Sequence, residues 1–129
     1  LLTHTDMAPW LSTVLLLIAS NVFMFLAWYL HLHLQQTKVI SAWPVWLVVI
    51  FSWGIALLEY SFQVPANRIG FEGNGGPYSL LQLKVMQEVI TLIIFVAMSF
   101  MLFSNFSLRW NHLLAFVLLI TAVWLVFLK

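Results

Sequence analysis

Most of the charged side chains of this chain lie beside one connection between two apolar runs. The first run ends in the segment EYSFQVPANRIG, residues 59–70, and the next begins with QLKVMQE, residues 82–88. Charged groups within membrane-spanning helices are costly and usually line an interior path or a binding site. The polar side chains of the two segments that could bind a solute or carry a proton are Glu59, Gln63, Asn67, Arg68, Lys84, Gln87 and Glu88.

Helical spacing groups these residues into two stripes. Glu59 and Gln63 share one face of the second predicted helix, whereas Lys84, Glu88 and Thr91 share one face of the third. Because a short connection joins the two helices, we expect them to be antiparallel neighbours and their charged groups to share a depth. A lone ammonium is poorly solvated in hydrocarbon. We therefore predict that Glu59 reaches Lys84, with Glu88 beside them.

The predicted cluster contains two carboxylates and one ammonium. Its unmatched negative charge could be met by a proton, by a cation, or by Arg68 folding back from the connection. A site that exchanges a bound proton for a cationic ligand is what a coupled transporter requires, which makes Glu59 and Glu88 the candidate coupling residues.

A purely structural interpretation of the cluster stays open. Lys84 and Glu88 are four residues apart on one helix, a spacing at which the two side chains can pair with each other. All three charged residues also lie near the end of a predicted span, where long side chains can extend to water. The cluster would then only hold the helical hairpin at the membrane interface.

The composition places the chain in a lipid bilayer. Of its 129 residues, 64% are hydrophobic and 7% are charged, against about 25% charged residues in an average soluble domain. A chain this short could not hide so much apolar surface from water. The net charge of +1 is uninformative, and no basic run suggests a nucleic-acid partner. The chain has no cysteine, which excludes disulfides and Cys-based metal sites.

Four apolar segments are long enough to cross a bilayer, since a spanning helix needs roughly 20 such residues. They cover about 7–32, 43–63, 79–103 and 108–128. We predict an all-α integral membrane protein, a single-domain bundle of four transmembrane helices with short connections. Pro44 suits the first turn of the second helix, and Pro65 is expected to end it.

Asn21 is the remaining candidate site residue. It lies near the middle of the first span, next to Ser20, and an amide at that depth needs a hydrogen-bond partner. Interhelical pairing is the expected role, and lining a solute path is the alternative. His31 and His33 point to different faces of a helix and do not make a metal site. With no nucleophile signature, we expect neither a catalytic site nor a cofactor nor a metal, and no enzymatic activity.

Orientation and assembly are weakly specified. Arg68, Lys84 and Lys129 belong to one side of the four-span topology, and Lys38 and Arg109 belong to the other. This near balance of positive charge is compatible with insertion in both orientations or with one orientation set by other factors. Four short helices leave little room for a hydrated path, so a transporter of this size is expected to be a homodimer.

The motif E-Y-x-x-Q-V-P-A-N-R at residues 59–68 and the segment QLKVMQE resemble an uncharacterised four-span family of bacterial inner-membrane proteins in the drug/metabolite transporter superfamily. The resemblance extends over nearly the whole chain. It implies a multi-pass protein of the bacterial inner membrane. Small relatives in that superfamily, the multidrug resistance exporters, are antiparallel dimers that exchange protons for cationic substrates through a Glu in the first helix. The first span here has no acid, so Glu59 or Glu88 would have to replace it.

Together these features predict a small-solute transporter of the drug/metabolite transporter type, coupled to protons or cations. Gln63, Asn67, Gln87 and Asn21 would be its polar contacts, and Arg68 would anchor the connection or attract an anion. The alternative is a non-transporting accessory subunit that packs against a larger membrane complex. Its uncharged first and fourth spans would then be the docking faces.

Overall fold

The computed structural model describes residues 8–103 and 105–128, which form four α-helices and no strand. Helix α1 covers Pro9–Gln36, α2 covers Val45–Gly70, α3 covers Leu80–Leu102 and α4 covers Trp110–Val126. A single 3-10 turn, Glu72–Asn74, lies in the connection between α2 and α3. The prediction of an all-α fold is confirmed.

Local sequence explains where the helices begin. Pro9 occupies the first turn of α1, and Pro44 immediately precedes α2; proline suits a helix start because the N–H that it lacks would have no helical partner there. Helix α3 begins with a capping box, in which the Gln82 N–H donates to Ser79 Oγ at 3.2 Å and the Ser79 N–H donates to Gln82 Oε1 at 2.9 Å.

Helices α1, α2 and α3 are long and apolar enough to cross a membrane. Helix α4 is equally apolar but has 17 residues, or about 25 Å at 1.5 Å per residue, less than the hydrocarbon thickness of about 30 Å. The described residues thus contain three full-length candidate spans and one shorter apolar helix, where four spans were predicted.

The prediction that Pro65 ends the second helix is wrong. Helix α2 continues through Pro65 and ends at Gly70. Proline removes one backbone hydrogen bond, and transmembrane helices tolerate this when packing holds the helix together. That packing is present here, because Ala66 and Gly70 are both buried.

Helix α1 lies at the centre of the fold. It contributes eight buried residues, whereas α2 and α3 contribute three each and α4, described over its whole length, contributes none. The extensive contacts run from α1 to α2, from α1 to α3 and from α3 to α4. The prediction that α2 and α3 pack as direct neighbours is therefore wrong, because both helices rest mainly on α1.

The apolar core lies at the end of the molecule that contains the α2–α3 connection. Leu16 and Leu17 of α1 pack there with Ala66 of α2 and Met86 of α3. Gly70 permits the close approach, since a Cβ atom at this position would lie 2.7 Å from Thr13 Oγ1 and 3.0 Å from a Leu83 methyl carbon. With any larger residue, the Thr13 and Leu83 side chains or the end of α2 would have to shift.

The connection from 71 to 79 is a tight, hydrogen-bonded turn. The Glu72 N–H donates to the Tyr78 carbonyl at 2.7 Å, and the Tyr78 N–H donates to the Gly70 carbonyl at 2.9 Å. Gly75 has a φ of 87°, in the left-handed region that glycine adopts without strain. Burial raises the pKa of Tyr78 above that of a free tyrosine. The turn fixes the spacing of α2 and α3 at this end of the molecule.

Candidate solute-binding site

The polar residues within the helices form two hydrogen-bonded groups, and both are attached to α1. Ser20 bonds to α2, and its neighbour Asn21 bonds to α3. Adjacent residues on an α-helix point about 100° apart, so one turn of α1 reaches both flanking helices. Ser20 and Asn21 are almost completely inaccessible to solvent.

The first group joins Ser20 to Gln63 and Glu59. The Ser20 hydroxyl donates to Gln63 Oε1 at 2.7 Å and lies 3.5 Å from Glu59 Oε1. A hydroxyl has one proton, and 3.5 Å is long for a hydrogen bond, so Gln63 is the principal acceptor. Glu59 is 7% exposed and is the only charged side chain buried within the described residues.

The second group joins Asn21 to Gln87 and Thr91. The Asn21 amide donates to Gln87 Oε1 at 3.1 Å and to the Leu17 carbonyl at 2.7 Å. In return, Asn21 Oδ1 accepts from Gln87 Nε2 at 3.3 Å and from the Thr91 hydroxyl at 2.5 Å. All four hydrogen-bonding positions of the Asn21 amide are therefore occupied. Asn21 makes the interhelical pairing that was expected of it.

The predicted pair between Glu59 and Lys84 is wrong. Lys84 Nζ instead lies 2.7 Å from Glu88 Oε1, one turn along the same helix, and both side chains are more than half exposed. The prediction fails because it placed α2 directly against α3, whereas α1 supports both. A partner four residues away also requires no particular packing of the helices.

Two clefts of similar size flank the start of α3. The first, here called the polar cleft, has a volume of about 730 Å³ and lies between α2 and α3. Its charged and amide-bearing walls include the following predicted site residues: Glu59, Gln63, Asn67, Arg68, Lys84 and Gln87. Val64 and Leu83 are among its apolar walls. The structure thus brings six of the eight predicted residues to one cavity.

The second cleft, here called the aromatic cleft, has a volume of about 720 Å³ and lies between α1, α3 and α4. It contains the remaining two predicted residues, Asn21 and Glu88. Its aromatic walls are Phe25, Trp28, Tyr29 and Phe95. Lys84 and Gln87 line both clefts, so this part of α3 separates them.

Arg68 lies in the last turn of α2 and not in the connection, because the helix continues past Pro65. Its positive charge is favourable there, since the carbonyl end of a helix carries partial negative charge. The side chain is exposed and lines the polar cleft. Arg68 and Glu59 are nine residues apart, which corresponds to about 13 Å along the helix axis.

Two residues of these groups, Ser20 and Thr91, were not among the predicted site residues. Thr91 shares the helical stripe of Lys84 and Glu88, so its spacing was an available signal. The only sequence signal that pointed to Ser20 was its position near the middle of the first span. The described residues contain no group of three His, Cys, Asp or Glu side chains that could hold a metal ion.

Three long apolar helices, with large apolar side chains over much of their surface, define a multi-pass helical membrane protein. A family model described as "Putative member of DMT superfamily (DUF486)" matches residues 13–127. The chain belongs to this family, as the resemblance of its motifs predicted. No curated protein and no solved structure matches the chain.

Proposed function

We propose that this protein is a small-solute transporter of the drug/metabolite transporter type and that the polar cleft binds its solute. Family membership supports a transport role in general terms. The lining of the cleft supports solute binding, because it combines charged and amide side chains with apolar walls, as ligand sites commonly do.

The observation that carries the proposal is the burial of Glu59. This carboxylate is 7% exposed, lies on a helix apolar enough to span a membrane and lines the polar cleft. Within the described residues it forms no ion pair, and its one hydrogen-bond contact is the 3.5 Å approach of Ser20. A buried carboxylate of this kind can bind either a proton or the cationic group of a solute. We therefore propose that Glu59 couples proton movement to solute movement.

The other charged residues have supporting roles in this proposal. Lys84 balances Glu88, which leaves Glu59 as the coupling acid. Gln63, Asn67 and Gln87 provide neutral hydrogen-bonding groups along the cleft. Transport of this kind needs no covalent step and no cofactor, and we propose no enzymatic activity.

We further propose that two copies of the chain form the transporter. A single chain leaves the polar cleft open between α2 and α3, and a second copy would close it towards the lipid. The nearly balanced positive charges allow the two copies to lie in opposite orientations. The expected membrane is the inner membrane of a bacterium.

The test is solute uptake into vesicles containing the purified protein. A pH gradient should drive accumulation from a pool of cationic and zwitterionic solutes, and Glu59→Gln should reduce it at least tenfold. Glu72→Gln is the matched control, because Glu72 is an exposed acid in the 3-10 turn. Equal uptake by wild type and Glu59→Gln vesicles would overturn the role of Glu59, and no uptake of any solute would overturn the transporter proposal.

One observation favours the accessory-subunit alternative. Helix α4 contributes no buried residue and packs mainly on α3, so most of its apolar surface is available to another protein. If the chain is such a subunit, mild detergent should extract it in a defined complex with other membrane proteins. Vesicles of the isolated chain should then show no flux.

A further inference from the structure

We infer that the solute of the polar cleft is a zwitterion, with its ammonium group at Glu59 and its anionic group at Arg68. This inference rests on the proposed function and specifies the substrate class of the same site. It follows from the arrangement of charge along α2: a buried acid lies at one end of the cleft and an exposed base at the other.

Among the described residues, no Lys, Arg or His nitrogen forms an ion pair with the Glu59 carboxylate. The nearest polar group, the Ser20 hydroxyl, lies at 3.5 Å, and its proton is directed to Gln63 at 2.7 Å. Burial without a counter-charge is unfavourable for a carboxylate. An ammonium group of the solute would supply both the charge and the hydrogen-bond donors that are missing at this end.

The Arg68 end presents a guanidinium group, whose planar set of donors matches a carboxylate or phosphate. Asn67 and Asn74 line the same end. The Asn74 side chain donates to the Arg68 carbonyl at 3.1 Å, which ties the connection to the last turn of α2. The described residues contain no ion pair between Arg68 and Glu59, so each charge is available to an opposite end of a solute.

Within the described part of the chain, Lys84 is the one further charged side chain that lines the cleft with Glu59 and Arg68, and its ammonium is paired with Glu88 at 2.7 Å. Val64 and Leu83 provide apolar walls, and Gln63 and Gln87 provide amides. This sequence of acid, neutral wall and base matches a molecule with an amine, a short carbon chain and an acid group. A diamine would place an ammonium beside Arg68, and a dicarboxylate would place a carboxylate beside Glu59.

The experiment measures equilibrium binding to the purified full-length protein by calorimetry, so it does not depend on transport. The probes are straight-chain ω-amino acids with four to six carbons, and the α,ω-diamines, α,ω-dicarboxylates and primary monoamines of equal length. For wild type we expect the best ω-amino acid to bind at least tenfold more tightly than the other three classes. Arg68→Gln should reduce its affinity to that of the monoamine.

Charge reversal gives a second readout that a loss of folding cannot imitate. Arg68→Glu should reverse the preference, so that the diamine binds at least tenfold more tightly than the ω-amino acid. Arg109→Gln is the control, because Arg109 is an exposed base outside the polar cleft. Equal binding of diamine and ω-amino acid by wild type, or no reversal in Arg68→Glu, would overturn the inference.

The uptake assay separates this inference from the proposed function. If Glu59-dependent uptake is found for monoamines while ω-amino acids are neither bound nor transported, the zwitterion inference is wrong and the transporter proposal stands. If no probe binds and wild-type vesicles take up no solute, both are wrong.

Discussion

The side-chain amides of Asn21 and Gln87 bond to each other in both directions, with N···O distances of 3.1 and 3.3 Å. This reciprocal pair, together with the Thr91 hydroxyl, holds α3 against α1. Interhelical hydrogen bonds in membrane proteins contribute about 0.6 kcal/mol each on average. Three such bonds converge on Asn21.

Replacement of Asn21 by Ala should therefore lower the free energy of unfolding by about 1–2 kcal/mol. The measurement is reversible unfolding in mixed detergent micelles, followed by circular dichroism. Asn111→Ala is the matched control, because Asn111 is exposed at the start of α4. Equal stability of the two variants would show that the pair does not hold α3 in place.

The pairing of Lys84 with Glu88 predicts a specific coupling energy. A double-mutant cycle with Lys84→Gln and Glu88→Gln should give a coupling of about 0.3–0.5 kcal/mol, as for other exposed pairs four residues apart. A parallel cycle with Lys84→Gln and Glu59→Gln should give a coupling near zero. A larger coupling in the second cycle would restore the Glu59–Lys84 pair.

The close approach at Gly70 predicts a steric effect. Gly70→Ala should destabilise the fold by about 1–3 kcal/mol, as overpacking commonly does, because the new Cβ atom would lie 2.7–2.8 Å from the Thr13 side chain. The additional change Thr13→Ala should recover part of this loss. Gly54→Ala is the control, since a Cβ atom there meets nothing within 4 Å, and it should be neutral or stabilising. The free energies come from the same unfolding measurement.

The partial burial of Tyr78 predicts a loss of stability at high pH. Its pKa is raised in the folded state by desolvation, so the folded protein holds the phenolic proton more tightly than the unfolded chain does. The free energy of unfolding should be unaffected below the unfolded pKa of about 10. It should fall as the pH rises from there through the folded value.

Tyr78→Phe should remove this part of the pH dependence in unfolding titrations between pH 8 and 12. Tyr60→Phe, at an exposed position on α2, is the control for loss of a hydroxyl. An identical pH dependence in wild type and Tyr78→Phe would show that Tyr78 is not the titrating group.

The helices could be predicted from the sequence more reliably than their packing. Long apolar runs locate α1, α2 and α3, because hydrophobic length and helical hydrogen bonding are local properties. The end of α2 could not be located in this way. Pro65 is a local signal to stop, and it is outweighed by the burial of Ala66 and Gly70 against other helices.

In the candidate site, too, the features local to one helix could be predicted, whereas the contacts between helices could not. Spacing along each helix placed Glu59 with Gln63 and Lys84 with Glu88, and both pairs lie together in the structure. Which helix each pair faces depends on how α1 is rotated between α2 and α3, and this rotation follows from packing over the whole molecule. The need of Asn21 for a partner was therefore predictable, whereas its partners Gln87 and Thr91 were not.

Ser20 and Asn21 are consecutive, so a single peptide unit sets the angle between two attachments on α1: the hydrogen bonds to α2 and the hydrogen bonds to α3. An inserted residue between them would turn one attachment by about 100° and shift it by 1.5 Å relative to the other, so only one flanking helix could keep its hydrogen bonds. This turn of α1 should tolerate conservative exchanges of side chains far better than any change in the number of residues.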